Sequence, residues 1–366
     1  MYVTFIIIIV IVQKCKIKGK GKHMIDLRGE LKNIGINPIE ELSVQERANV
    51  AEQVAKKLMS LNIPGLFYHT ILEKLFETKM CIAKIRGDLG SAKYFYKNKT
   101  IYFNKHINIQ EIDENIVREC IHCLQDTRKP HEKLKRVGIC TFDEYKVKGK
   151  ALNEIGINYI SNNVFNKKDN NKAYTLLKQI LYITGEEVFF DSLLNNNNKF
   201  GKKFVEETNS EVLYDKVQNH LDSISDLEQI IKRLTVDGRK SKNPEKYLIK
   251  INMHKHTVND KFLSVQYEIY NRYFSRKLEL VDTLEDIKKI KSEMFEYNNL
   301  LEIGEDELKY TNFVNDKIEK LNKLEIEILR KNSNNSMITI KEGVIHKIVR
   351  TIKKLLFNQK EYEFNK

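Results

Sequence analysis

Between residues 80 and 103 the apolar positions of this chain repeat as they do in strands. Nearly everywhere else they repeat as they do in helices. That contrast constrains the fold most, because side chains two apart share a strand face and side chains three or four apart share a helix face. Residues 80–86 are a short apolar run, and YFYKNKTIYF at 94–103 reads as a hairpin turning about Lys97 and Asn98. Upstream, Ser43 with Glu46 three residues on is a capping box. It opens a helix to Leu61 with Val44, Ala48, Ala51, Ala55 and Leu58 on one face. Pro64-Gly65 ends that helix, and another is expected near residues 69–77. Asn108 and Glu111 form a second capping-box-like pair and predict a helix from Ile109 to Asp126. The remainder reads as helix, interrupted by Asn-rich tracts at 195–198 and near 332–335 and by a segment at 237–244. No internal repeat is visible. The expected fold is α+β, mainly α-helical: a small N-terminal sheet against the helix ending at Asp126, then a helical C-terminal region. The expected division is a leading segment 1–23, a domain over 24–240 and a helical region over 241–366.

Hydrophobic residues make up 41% of the chain, enough to build a core and too many for a disordered polymer. The net charge is +13, which would ordinarily point to nucleic acid or an anionic membrane. The chain is also rich in Lys, Ile and Asn, whose codons are AT-rich, and its basic residues are dispersed rather than clustered with aromatics. No nucleic-acid partner is therefore expected. The five Cys are odd in number and irregularly spaced, so a disulfide framework is not indicated and a reducing cytoplasm is the expected location.

The apolar run YVTFIIIIVIV at residues 2–12 is too short to span a bilayer and lacks the flanks of a signal peptide. KGKGKHM at 18–24 uses residues with purine-rich codons just before a Met, as a translated ribosome-binding site would. Met24 is accordingly expected to be the initiator. Residues 1–23 hold five Lys and no acid, so the charge from Met24 onward falls from +13 to +8. Attachment to a membrane through residues 2–12 is the alternative. Residues 275–330 are expected to form solvent-exposed amphipathic helices rather than a coiled coil, since no heptad is sustained. A last helix near residues 344–357 carries a basic face and an apolar face, and is expected to dock on the protein's own core.

The chemistry is concentrated in residues 116–160. On the expected helix, Ile112, Ile116, Cys120, Cys123 and Leu124 share an apolar face. Asn115, Arg118, Glu119, His122 and Asp126 share the other. A carboxylate and an imidazole thus project together at a spacing of three. Glu154 lies in a further helical stretch, 151–160. Arg118-Glu119-Cys120-Ile121-His122 resembles the H-E-x-x-H helix of the zincin-like metallopeptidases, with Arg in place of the first His. ECIHCLQ is similar to the E-x-I-H-x-L-Q form of that helix in uncharacterised bacterial members. Ala-Leu-Asn-Glu ending at Glu154 resembles the N-E motif of the gluzincin branch. The hairpin at 94–103 matches the place where that fold sets its edge strand. The resemblance is best over residues 80–160.

That resemblance implies a zinc cofactor, Glu119 as general base, His122 and Glu154 as metal ligands, and a peptide substrate. Two imidazoles four apart on a helix can share one tetrahedral ion, and a carboxylate from a second helix completes a three-ligand site open to water. Arg118 breaks the pattern, because a guanidinium stays protonated and offers no lone pair. It is expected to pair with Glu154 or Glu119 instead. The implied function is a metallopeptidase-like protein with an impaired or inactive zinc site. The alternatives are a catalytically dead module that captures an extended peptide by strand addition, or a membrane-associated protein. A structural zinc held by Cys120, Cys123, His131 and Cys140 is a lesser reading, because both helical Cys fall on the apolar face. His254 and His256 are expected in an exposed strand or loop, with nothing nearby to complete a site. No phosphate loop, G-x-S-x-G elbow or dinucleotide fingerprint is present.

Overall fold

The computed structural model describes residues 24–63, 65–87, 90–127, 135–142, 147–167, 172–301 and 312–333. The leading segment, His131 and the expected terminal helix at 344–357 lie outside these residues. The described chain is α+β and mainly helical. Helix α1 (Met24–Asn33) leads into strand β1 (Ile36–Glu41). Helices α2 (Val44–Met59) and α3 (Tyr68–Glu77) follow, then β2 (Lys79–Ile85), β3 (Ala92–Phe95) and β4 (Thr100–Asn104). Helix α4 (Glu114–Gln125) is succeeded by three short strands, β5 (Arg136–Val137), β6 (Cys140–Phe142) and β7 (Val147–Lys148). Helices α5 (Lys150–Val164), α6 (Lys172–Thr184), α7 (Glu186–Asn195), α8 (Lys199–Thr208), α9 (Glu211–Lys240), α10 (Pro244–Glu279) and α11 (Leu284–Asn298) complete the named elements. A further helix, α12, covers 312–333.

The main sheet has the order β1-β2-β4-β3. Strands β2 and β4 are parallel, while β1 on β2 and β3 on β4 are antiparallel. One face of the sheet packs Ile36, Cys81, Ala83, Ile85, Phe95 and Tyr102 against Leu31 of α1. Met80 and Ile101, paired across the parallel ladder, are fully buried with Phe103 on the other face. The hairpin turns at residues 96–99, as its sequence predicts, with Lys99 in the left-handed region at φ 52°.

Strand β1 escapes the sequence reading for a physical reason. Five of its six residues are exposed and Pro38 interrupts it. The ladder to β2 shifts register between Pro38 and Glu40, so the missing proline N–H is accommodated at an irregular edge. Helix α2 has the capping box on Ser43 and Glu46, but Val44 is 45% exposed and Val50 and Val54 complete the buried face.

Described residues up to Ile269, with Leu300 and Leu301, form one compact unit. Tyr270–Asn299 and the described residues from 312 on form a second. In the second unit, α11 opens with a capping box of Thr283 and Asp286 and buries Ile287, Ile290, Met294 and Tyr297. That is the amphipathic pattern expected for this region. The loop anticipated at 237–244 is shorter than expected. Helix α9 runs to Lys240, and Pro244 begins α10, where its lack of an N–H costs nothing. His254 and His256 fall inside α10, not in a strand or loop. Among the described residues no helix is long and apolar enough to cross a membrane.

Candidate functional site

Helix α4 does not start at Ile109. The Asn108 side chain accepts the Gln110 N–H at 3.1 Å, a local bond that turns the chain before a helix can form. Asp113 is the cap instead, accepting the Ile116 N–H at 2.8 Å. From there the apolar face follows the pattern, with Ile116, Cys120, Cys123 and Leu124 all buried, and Ile112, just ahead of the cap, is buried too.

The polar face of α4 is not a solvated one. Antiparallel pairing turns alternate residues of β3 toward β4, with Asn104 donating to the Ser91 carbonyl at 2.8 Å. The N–H groups of Ala92 and Tyr94 therefore point away from the sheet. Asn115 and Glu119, one turn apart, receive them: Ala92 donates to Asn115 Oδ1 at 2.7 Å and Tyr94 to Glu119 Oε2 at 2.8 Å. The other Glu119 oxygen faces Arg118 Nη2 at 2.9 Å and Lys93 Nζ at 3.3 Å. The Glu119 side chain is wholly buried, and the two cations are about one-third exposed (30% and 34%). At the C-terminal end of α4, the Tyr94 hydroxyl donates to Asp126 Oδ2 at 2.9 Å, and Lys74 Nζ donates to the Leu124 carbonyl.

Glu154 is delivered by α5, whose placement depends on two polar contacts. At its start, Asp222 of α9 accepts the Gly149 N–H at 3.1 Å and the Ala151 N–H at 2.7 Å. Gly149 itself has φ +74°, a left-handed entry that glycine allows. One turn on, the buried amides of Asn153 and Gln125 pair reciprocally, at 3.2 and 3.3 Å. Gln125 Nε2 also donates to the Leu193 carbonyl at 2.8 Å, and Asn153 Oδ1 accepts the Ile139 N–H at 3.1 Å. Gly138 closes over this pair at φ +59°, where a Cβ would lie 2.1 Å from Asn153 Oδ1 and 2.4 Å from Gln125 Nε2. Only glycine fits there.

The consequence is that His122 Nε2 and Glu154 Oε2 face one another at 3.4 Å. Burial pushes the Glu154 carboxyl up. The His122 hydrogen bond and charge, with Arg118 and Lys93 behind them, overcome that and hold it down at about 2. The structure thus gathers Arg118, Glu119, His122 and Glu154, the four residues the sequence singles out, and of the two partners expected for Arg118 it makes direct contact with Glu119. Lys93, Asn115, Gln125, Asn153 and Asp222 join them. Gln125 and Asn153 stood inside the motifs that carried the resemblance, so a signal for them existed. Lys93 and Asp222 left none.

The donor set does not fit a catalytic zinc. Arg118 has no lone pair, and Glu119 is engaged with three N–H donors. His122 and Glu154 alone are two ligands where such sites use three. Among the described residues no group of three or more His, Cys, Asp or Glu stands close enough to hold a metal ion. Burial pushes the Cys120 thiol well up, and it also raises Cys123 and takes Cys140 to about 12, so these sulfurs are held as thiols rather than as the thiolates a metal needs. His254 and His256, two apart on a helix, project in different directions, and His256 Nδ1 lies 3.0 Å from Asp260 Oδ2.

No protein-family model, curated protein or solved structure matches this chain.

Proposed function

We propose that this chain is a zincin-like protein whose metal centre has given way to an internal ion network, leaving it without metal-dependent peptide hydrolysis. The observation that carries the reading is the double engagement of Glu119. Its carboxylate takes the Tyr94 N–H on one oxygen and Arg118 with Lys93 on the other. A general base needs a free oxygen near a reacting proton. This one is desolvated, charge-compensated and tied to the sheet. Arg118 supplies the positive charge that an ion would otherwise bring to the carboxylates, and Glu154 turns to His122. The strand-addition alternative draws less support, because the outward N–H donors of β3 at Ala92 and Tyr94 are already bonded to α4. The four described cysteines are free and buried, which agrees with a reducing cytoplasm as the site of action.

The test is zinc content and peptidase activity of the purified protein beside Arg118→His. The unaltered protein is expected to hold no stoichiometric zinc and to leave a casein substrate intact. Arg118→His is expected to gain zinc through the introduced imidazole together with His122 and Glu154. Stoichiometric zinc in the unaltered protein would refute the displaced-metal reading. Absence of zinc from both forms would remove the zincin reading itself.

A further inference from the structure

A second cluster of reactive groups lies in the other compact unit, remote in sequence from Glu119. Lys317 of α12 has 2% of its surface exposed, yet it carries an amine. Its Nζ lies 2.8 Å from Ser275 Oγ of α10. Among the described residues, Asp316 Oδ2 lies 3.7 Å away, is half exposed and is also held by Lys320 at 3.1 Å. A buried ammonium is costly without close compensation, and among the described residues it has one hydroxyl and one distant, shared carboxylate. Burial first, and then the Lys320 charge, lower the Lys317 amine from its usual range. An amine so placed is the kind that serves as a base. Ser275 is only partly buried and opens on a groove of about 360 Å³. Leu278 and Leu324 give this groove an apolar wall, and Lys320, Lys323, Glu279 and Glu327 line the rest of it with charges of both signs. A nucleophile bonded to an amine and opening on a cleft is the core of an arrangement that acyl transfer uses.

We propose that Ser275 and Lys317 form a nucleophile–base pair that opens on this groove and accepts acyl groups from small, apolar esters. Lys317, in its uncharged form, removes the Ser275 proton as Oγ bonds to the ester carbonyl carbon. The bond from that carbon to the leaving alkoxide then breaks, and the alkoxide takes the proton from Lys317. Water, deprotonated by the same amine, cleaves the acyl-serine to the free acid and restores the hydroxyl.

Treatment of the full chain with an alkyl fluorophosphonate tests the pair. Oγ–P bond formation with loss of fluoride should give one adduct by intact mass, placed on Ser275 by peptide mapping. Ser275→Ala should lack that adduct and lose turnover of p-nitrophenyl acetate. Lys317→Met and Lys317→Arg should each slow labelling about 100-fold, the usual share of a positioned base. Two Lys317 variants are needed because Met leaves the buried position uncharged and Arg keeps it charged but unable to act as a base, so a folding defect in one does not decide the outcome. An unlabelled Ser275 in the unaltered protein overturns the proposal, as does labelling at the unaltered rate in either folded Lys317 variant. The zinc measurement on Arg118→His has no bearing on this result, so the two readings stand or fall separately.

Discussion

Glu119 Oε2 accepts the backbone N–H of Tyr94 at 2.8 Å, which makes the carboxylate part of the sheet edge. Asn115 does the same for Ala92 one turn earlier, so α4 closes the outer edge of β3 along its own polar face. An open edge invites pairing with another chain, and here two side chains occupy the donors that would direct it.

Glu119 should therefore matter for stability. Glu119→Ala removes the acceptor from one buried N–H and the counter-charge from two partly exposed cations. The expected cost is about 2–4 kcal/mol, read as a fall in the urea midpoint at constant slope. Glu119→Gln keeps one acceptor for Tyr94 and should cost less. A carboxylate whose only role was to polarise water would leave the midpoint unmoved in both variants.

Glu154 gives the site an acid-sensitive element. Its carboxyl is held at about 2 in the fold against an ordinary 4.5. A folded value below the unfolded one means that the stabilisation is fully present above about pH 4.5. It is lost as pH falls toward 2. Glu154→Gln should thus flatten the stability-against-pH curve between roughly pH 5 and pH 2. Because the side chain is 38% exposed, salt should weaken the difference. Urea unfolding of both proteins at stepped pH, at low and high salt, reads it directly. Parallel curves would remove the His122–Glu154 contact as the cause.

Gly138 locks the pair that aligns the two helices. Gly138→Ala would set a methyl against both amides at 2.1 and 2.4 Å and against the Leu193 carbonyl at 2.9 Å, at a φ that alanine resists. Overpacking of this kind costs about 1–3 kcal/mol, with backbone strain in addition. The amide signals of Gln125 and Asn153 should shift in an NMR spectrum together with the His122 ring. Shifts confined to residues 136–142 would show that the pair does not transmit to the site.

Much of this was legible in the sequence, and the failures have physical causes. The period change at 80–103 marks the sheet, because buried strands and amphipathic helices place apolar residues differently. The segment from Arg118 to Glu154 marks the residues that meet. Where Asn108 and Asp113 compete to open α4, the outcome turns on a side chain bonding two residues ahead, which spacing does not report. The burial of Glu119 was equally out of reach. A polar residue at a helix position opposite the apolar face looks solvated until a strand edge is set against it. Strand β1 fails for the converse reason, since an exposed edge strand has no apolar alternation to read. The contact of Asp222 with Gly149 joins residues 73 positions apart and has no local signature.

That long-range contact supports the last prediction. Asp222 is buried enough that its carboxyl is pushed up, despite the bonds from Ala151 and Gly149 that favour its charge. It holds that place because it caps α5, and its charge also faces the positive end of that helix. Asp222→Ala should cost about 1–2 kcal/mol, in the range of a lost helix cap. The amides of Gly149 and Ala151 should exchange faster with solvent, while those of α4 keep their protection. Glu154 lies one turn beyond the freed amides, so fraying of α5 loosens its hold on His122. The acid sensitivity attributed to Glu154 should then shrink in Asp222→Ala, and the double variant with Glu154→Gln should be less destabilised at neutral pH than the two single effects summed. Strict additivity would mean that α5 stays seated without its cap, and that the Gln125–Asn153 amides alone position Glu154.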